Sequence, residues 1–497
     1  MNRSKALLLV FLFAAFSLSS CSGPKGRVIC TVNCGGTANL SFTMVADTLP
    51  ASPTILSFQA SIIGVTVTSS TSTKTLSPPS APIDLMRLQT DSAYLGTLTN
   101  VPSETISSFS VALSSQKMTI FNNTGVALTS PPCAVNAICT FNPNAVGSVL
   151  IDKVNQTFSS NAGFGLDINL ANAITITGTT LNVNFSPVAN NVFTEFTLPR
   201  TGSNLASTQF DLIEDVTGVV TVSGQNATIK NPLTNATLTA AATSSTVFDT
   251  DPTTTLCPTT TKQTLATCVS NNQIASMDII VNSDGTTSIQ EIEPLLATQQ
   301  DTVEGIVVGV TQGSTTQFTL IVTDMLPAAS NSLIGNGLLS DGDGLTVNLM
   351  NANNFLIDTK GLNLSSYPGN TSNFTGANNT GALNLGQRVA VHVTGFTGPS
   401  GSTLASVTSD TVTLRWSRFA ASLSASGTPA FSINGLPINF NNSGIAQVQT
   451  FSQTNLDGIT NTGNLSSTKT VYIRALYIEN PGFTLVPAFY AAKVRQH

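Results

Sequence analysis

The chain has 497 residues, of which 9% are charged, and its formal net charge is −6 at neutral pH. This length allows about three domains of ~150 residues each and excludes a single small core. Because the Lys and Arg residues are few and scattered along the chain, the composition argues against nucleic-acid partners, which require clustered positive charge.

The low charge content also favours strands over helices. Solvated helices usually carry Glu, Lys and Arg at spacings of three and four residues, whereas the abundant Thr and Val suit a half-buried pleated surface. We therefore expect an all-β protein, with an N-terminal β-sandwich followed by tandem small OB-like β-barrel modules.

Residues 1–20 have the layout of an export signal, with Arg3 and Lys5 ahead of an apolar run at residues 6–16. The following LSSC at residues 18–21 resembles the lipobox of bacterial lipoproteins, in which the cysteine thiol takes a diacylglycerol. The resemblance implies lipidation at Cys21. The alternative is an ordinary secretory signal with a chance cysteine at its end.

The lipobox also implies a location for the protein. It places the chain in the bacterial cell envelope, anchored to the outer membrane or cell surface, with the periplasmic face also possible. Beyond the signal, no apolar run approaches the ~20 residues that span a bilayer, so we expect a soluble body held by lipid alone. Residues 21–38 are predicted to be a tether.

The other six cysteines fall into local pairs, which is typical of disulfides in an oxidising compartment. Although six cysteines allow 15 connectivities, local pairing is favoured because each pair lies in a loop rich in Pro, Ser, Thr or Asn. A four-cysteine zinc site is the alternative, but the first two pairs lack the two-residue spacing of a zinc knuckle. The predicted pairs are Cys30 with Cys34, Cys133 with Cys139, and Cys257 with Cys268.

Residues 39–205 show the period-two alternation of strands that bury one face. Leu40, Phe42 and Met44 alternate with polar residues, and similar runs recur as far as residue 185. Prolines and Asn/Gly turns separate these runs. Short strands divided by such breakers predict a β-sandwich.

The same region resembles an uncharacterised domain of bacterial envelope lipoproteins. The resemblance rests on IDLMRLQTDSAYLGTL at residues 83–98, on residues 101–113, and on residues 165–185. It covers roughly residues 39–190 and implies a β-sandwich with no known catalytic residues.

Three further units are predicted at residues 206–298, 299–416 and 417–497. The first two open with VTGVV and VEGIV, and LGQRVAVHV at residues 385–393 continues the second. These features resemble a small OB-like barrel domain of unassigned function that occurs in tandem in bacterial exported proteins. In the first unit Asn272 and Gln273 stand where Gly and Gln are expected. The third lacks the opening glycine and is predicted to be degenerate.

No catalytic constellation is evident among the side chains. The two histidines are His392 and the terminal His497, and a catalytic triad would have to use His392. By alternation His392 shares the polar face of its strand with Arg388, which favours a solvated residue. Asp278 and Asp301 are isolated in the sequence. We therefore predict no catalytic residue, no cofactor and no enzyme.

Two other features suggest binding chemistry, but each has a simpler explanation. Asp341 and Asp343 lie in SDGDG and form a weak calcium candidate, although a plain turn fits better because the other EF-hand positions are missing. Trp416 follows the alternation of Val412 and Leu414. It fits a core residue better than a sugar site.

Taken together, these features predict a lipid-anchored envelope protein of the non-enzymatic type. Its units would extend in series from the membrane and serve adhesion, scaffolding or ligand binding, with a glycan or a protein as partner. The alternative is a surface carbohydrate-binding or carbohydrate-active protein, since sandwich and OB-like folds both host sugar sites.

Overall fold

A computed structural model describes residues 36–78, 82–143, 149–186, 191–248, 264–296, 298–310, 314–360, 362, 364, 371, 374–440, 444–478 and 488–496. Nearly every element in these ranges is a β-strand, which confirms the predicted all-β class. The α-helices in the described ranges are single turns, α1 at Leu170–Ala173 and α2 at Leu265–Cys268. Short 3₁₀ turns lie at Arg87–Gln89, Thr380–Ala382 and Thr462–Asn464.

The first unit, called the sandwich, places one hydrophobic core between two sheets. Its strands are β1 (Thr37–Val45), β2 (Thr54–Ser69), β3 (Thr73–Leu76), β4 (Pro82–Asp84), β5 (Ala93–Pro102), β6 (Thr105–Phe121), β7 (Leu128–Thr129), β8 (Pro132–Cys133), β9 (Ile138–Phe141), β10 (Val149–Thr157), β11 (Ala162–Ile168), β12 (Ile174–Thr177), β13 (Thr180–Val183) and β14 (Phe193–Leu198). One sheet has the order β14-β11-β1-β5. The other has the order β10-β6-β2-β3, with β4 on β2 and β9 on β6.

The alternation predicted for β1 is what fills this core. Leu40, Phe42 and Met44 are fully buried. The ring of Phe42 lies 5.3 Å from that of Phe109 on the opposite sheet, and Phe109 in turn lies 4.8 Å from Phe164. Edge-to-face aromatic pairs of this kind stabilise a core beyond the area that they bury.

Two of the predicted disulfide cysteines are joined in the sandwich. The bond between Cys133 and Cys139 is present and connects β8 to β9. Cys268 in α2 is buried and disulfide-bonded. The remaining cysteines, Cys21, Cys30, Cys34 and Cys257, lie outside the described residues, as does His497.

The next two units are closed five-stranded barrels, called barrel 1 and barrel 2. Barrel 1 consists of β15 (Gln209–Ser223), β16 (Asn226–Lys230), β17 (Thr237–Phe248), β18 (Ile274–Asn282) and β19 (Thr287–Leu296). Barrel 2 consists of β20 (Thr302–Val310), β21 (Gln317–Leu326), β22 (Gly344–Ile357), β23 (Arg388–Thr397) and β24 (Ala405–Arg415). In both, the third strand pairs in parallel with the fifth, and the fourth closes onto the first.

The last unit, called barrel 3, has the same order of pairing. It consists of β25 (Ser417–Ala425), β26 (Ala430–Asn434), β27 (Ala446–Gln449), β28 (Asn455–Asp457), β29 (Thr470–Tyr477) and β30 (Ala488–Arg495). β27 pairs in parallel with β30, and β29 closes onto β25, while β28 is added outside β30. The ring therefore closes although this unit lacks the opening glycine. Tandem OB-like barrels are confirmed.

The glycine shared by the openings of barrels 1 and 2 has a steric cause. A Cβ atom on Gly218 would lie 2.4 Å from the carbonyl oxygen of Lys230. On Gly305 it would lie 2.4 Å from the carbonyl oxygen of Ile321. In both barrels the first strand approaches the backbone of the second too closely for any side chain.

The turn before the fourth strand is also equivalent in barrels 1 and 2. Gly386 and Asn272 both have a positive φ, 85° and 68°. The glutamines that follow them accept a backbone N–H through Oε1, Gln387 at 2.7 Å and Gln273 at 2.8 Å. Asn is the non-glycine residue that best tolerates this conformation, so Asn272 and Gln273 fill the places of Gly and Gln.

The units pack against one another and do not extend in series, so that part of the sequence prediction is wrong. Trp416, Leu476 and Tyr490 belong to the same buried cluster as the core of barrel 2, which joins barrels 2 and 3. Leu198 of the sandwich likewise lies in the core cluster of barrel 1. Apolar side chains left uncovered on one unit are buried by the next.

Candidate functional site

Charged side chains from all four units meet in a buried cluster, called the junction. The basic residues, which are scattered along the chain, and Asp278, which is isolated in the sequence, come together here. The side chains lie far apart in the sequence but converge where the units pack. The junction consists of Arg87 and Asp91 from the sandwich, Glu214, Asp215 and Asp278 from barrel 1, Lys360 from barrel 2, and Arg418, Arg474 and Lys493 from barrel 3.

Barrel 3 is joined to barrel 1 through Arg474. Its Nη2 donates to Oε1 of Glu214 at 2.7 Å, and its Nη1 donates to Oδ2 of Asp215 at 3.0 Å. Lys493 donates to the other oxygen of Glu214. Because Arg474, Lys493 and Glu214 are each no more than 3% exposed, water screens these pairs weakly.

The sandwich and barrel 2 also take part in this network of ion pairs, the sandwich through Asp91 and barrel 2 through Lys360. Arg418 donates through Nε to Asp91 and through Nη2 to Asp215, both at 2.8 Å. Lys360, in the loop after β22, forms ion pairs with Asp215 and, at 3.1 Å, with Asp278. Asp215 therefore contacts cations from barrels 2 and 3 together.

The acids of the junction have shifted pKa values because two effects oppose each other. Burial by itself would raise the pKa of Asp91, but the guanidinium groups of Arg418 and Arg474 outweigh burial and hold it below its ordinary value. At Asp215 burial is likewise outweighed, first by Lys360, and the pKa lies well below its ordinary value. At Asp278 burial prevails and the pKa is raised.

A second group of buried ion pairs lies within barrel 2, beside the junction. Glu304 pairs with Arg388 and, at 3.4 Å, with Arg415, which also pairs with Asp358. Burial would raise the pKa of Glu304, but Arg388 and Arg415 lower it to about 2.

A cavity of about 410 Å³, called the cleft, opens between barrels 1 and 2. Its lining combines apolar residues from both barrels with polar residues that include charged groups of both signs. The apolar residues are Ile274, Pro294, Leu295, Leu296, Leu326, Leu356, Ile357 and Ala390. The charged and titratable residues are Glu293, Glu304, Asp324, Asp358, His392, Asp410 and Arg415.

His392 faces this cleft and has a carboxylate partner. Its Nδ1 lies 2.7 Å from Oδ1 of Asp410 on the neighbouring strand β24. The histidine side chain is 28% exposed, so it is partly solvated. Its pairing with Asp410 could not be predicted from the sequence. The described lining of the cleft holds threonines but no Ser or Cys nucleophile.

The calcium candidate is a contact between units. Asp343 forms an ion pair with Lys117 of β6 at 2.6 Å and accepts from the backbone N–H of Ser340 at 2.9 Å. The carbonyl oxygen of Gly342 accepts from Thr119 at 2.6 Å. Asp341 faces inward, and burial with the nearby Asp324 raises its pKa well above the ordinary value. The loop therefore docks barrel 2 on the sandwich.

Two further sequence candidates have structural roles. Trp416 is 2% exposed in the shared core of barrels 2 and 3, so it belongs to the core. Asp301 accepts backbone N–H groups from Ala328 and Leu333 and so holds the loop after β21.

In the part of the chain that the structure describes, no group of three or more His, Cys, Asp or Glu side chains is arranged to hold a metal ion. None of the helices described reaches the length and hydrophobicity that crossing a bilayer takes.

The chain matches no protein-family model and no curated protein. Both family resemblances, that of the sandwich and that of the barrels, therefore stay predictions. The junction and the cleft are the features of the molecule that bear on its function.

Proposed function

We propose that this protein is a lipid-anchored bacterial cell-envelope protein that acts by binding, with its four units forming one rigid scaffold. The junction carries this proposal. Ion pairs in it run from the sandwich to barrel 3, from barrel 3 to barrel 1, and from barrel 1 to barrel 2.

Rigidity follows from the cost of separating these charges. Domains of one chain normally move relative to each other unless their interface is large or strongly held. Here, moving barrel 3 away from barrel 1 would leave Glu214 without Arg474 and Lys493. Leaving a buried charge without its partner costs about 3–5 kcal/mol. A fixed arrangement of units suits a protein that presents a binding surface.

The cleft supports binding over catalysis. Asp410 could orient His392 as a general base, but among the described lining residues there is no Ser or Cys for His392 to activate. The cleft has the size of a small-molecule site, and its mixture of apolar and polar groups is typical of such sites.

The lipid anchor is tested by labelling cells with a clickable fatty acid. We expect label on the natural chain and on a Cys30→Ala control, but none on Cys21→Ala. Label that persists in Cys21→Ala would show that the anchor is misassigned.

Purified protein on a glycan array tests the carbohydrate-binding alternative, and a panel of chromogenic glycosides tests for catalysis. We expect no hydrolysis of the glycosides. Turnover that is lost in Asp410→Asn and kept in Asp284→Asn, an exposed hairpin aspartate of barrel 1, would instead establish the carbohydrate-active alternative.

A further inference from the structure

We propose that the cleft between barrels 1 and 2 binds an organic cation that has a compact apolar body. The inference rests on the binding role proposed above and names the ligand class for it. It does not depend on the lipid anchor.

The apolar body follows from the shape of the cleft. Leu295 and Leu296 of β19 line the cleft together with Leu326 of β21 and Ile357 of β22. The volume of about 410 Å³ lies within the range of small-molecule sites. Covering these side chains with an apolar group would release water from both barrels at once.

The positive charge follows from the balance of groups in the lining. Five carboxylates line the cleft, Glu293, Glu304, Asp324, Asp358 and Asp410, against one guanidinium, that of Arg415. Arg415 is already committed to Glu304 and Asp358, and Arg388, which lies outside the lining, pairs with Glu304 as well. Even with both guanidinium groups counted, the five carboxylates leave a surplus of negative charge, which attracts a cation and repels an anion.

Other ligand classes fit the cleft less well. A sugar usually stacks on an aromatic ring, and the described lining has no Phe, Tyr or Trp. A metal ion needs converging ligands, and none of the described residues form such a set. The larger cavity between the sandwich and barrels 2 and 3 holds Arg87, Arg388 and Arg418, but all three guanidinium groups are committed to protein oxygens.

The test compares three probes of equal shape: adamantylammonium, adamantanol and adamantanecarboxylate. Each is titrated calorimetrically into the purified full chain at neutral pH. We expect the ammonium to bind at least tenfold more tightly than the alcohol, and the carboxylate most weakly, as charge complementarity requires. Equal affinities, a preference for the carboxylate, or no binding of the ammonium would overturn the proposal.

Variants locate the site. Asp410→Asn removes a partly exposed carboxylate and should cut the preference for the ammonium over the alcohol roughly fivefold. Ala390→Phe narrows the cleft and should weaken the ammonium and the alcohol alike. Asp284→Asn, on the hairpin of barrel 1, should change neither the affinity for the ammonium nor that for the alcohol. An ammonium preference that is unchanged in Asp410→Asn, or affinities that are unchanged in Ala390→Phe, would place the site elsewhere and overturn the assignment.

Failure here is distinct from failure of the proposed function. Fatty-acid labelling and the glycoside panel report on anchoring and catalysis, and neither depends on these probes. A chain that carries the lipid and lacks hydrolase activity but binds the three probes equally would keep the binding scaffold and lose the cationic ligand.

Discussion

Gly218 and Gly305 occupy corresponding places in two barrels, where the backbone of the first strand lies unusually close to that of its neighbour, the second strand. The missing side chain is what allows this close approach, since a Cβ atom at either position would overlap a carbonyl oxygen. A glycine in a strand otherwise weakens it, so its presence in both openings reflects close approach of the backbone. The repeated motif is thus a packing requirement and carries no chemistry of its own.

We expect Gly305→Ala to destabilise the protein. The new methyl group has to displace the backbone of β21, and overpacking of this kind costs about 1–3 kcal/mol. The free energy of unfolding in urea measures the loss. Gly309→Ala on the same strand is the matched control, because its nearest neighbour would be 3.8 Å away. Equal stability of the two variants would contradict the steric explanation.

Much of the residue pattern could be predicted from the sequence, because strands that bury one face follow a period of two. The core positions of β1, the opening glycines and the turn at Gly386 all follow from local rules. Asp410 as the partner of His392 does not, since β23 and β24 bring together residues 18 positions apart and a bulge shifts their register. No local pattern encodes that shift.

At the scale of elements, β29 lacks the alternation of buried and partly exposed residues that strands such as β20 show. Every residue from Val471 to Tyr477 is buried, including Arg474 on the outward face. Alternation assigns Arg474 to solvent. The sandwich and barrel 1 cover that face of β29. The sequence of a single strand does not indicate which other units pack against its outward face. This is why the junction could not be predicted.

We expect Arg474→Met to destabilise the protein by about 3–5 kcal/mol, because it leaves Glu214, Asp215 and Asp91 short of a buried partner. Urea unfolding measures the change. Lys230→Met on the exposed end of β16 is the control and should shift stability by no more than about 0.5 kcal/mol. Similar losses in both variants would mean that the ion pairs of Arg474 contribute nothing specific.

At the scale of the whole molecule, two sets of buried carboxyl groups have pKa values that move in opposite directions. The pKa values of Asp91, Asp215 and Glu304 are lowered by their cationic partners, although burial opposes this. Burial raises the pKa of Asp324 to about 6, and burial together with Asp47 raises that of Asp167 to about 7.

Stability should therefore peak near pH 5. An acid with a lowered pKa stabilises the fold above its unfolded value of about 4, and that contribution is lost as the pH falls. An acid with a raised pKa acts in reverse and weakens the fold as the pH rises from about 4 toward 7. We expect the urea midpoint at pH 5 to exceed those at pH 3 and pH 7.5.

The variant Asp167→Asn separates the two effects. It should make the decline between pH 5 and pH 7.5 less steep, since Asp324 and Asp341 still contribute to it. The loss of stability below pH 5 should stay the same, because the groups with lowered pKa values are unchanged. A midpoint that rises steadily from pH 3 to pH 7.5 in the natural chain would contradict the opposing shifts.

Lys493 and Arg495 lie on β30, yet they neutralise Glu214 and Asp457, and Arg495 also donates to the backbone carbonyl of Gln89. Lys493 follows Glu214 by 279 positions and Arg495 follows Gln89 by 406, so the interior of the earlier units is completed only after β30 has been synthesised. A variant shortened before β30 would leave Glu214 without Lys493 and Asp457 without Arg495.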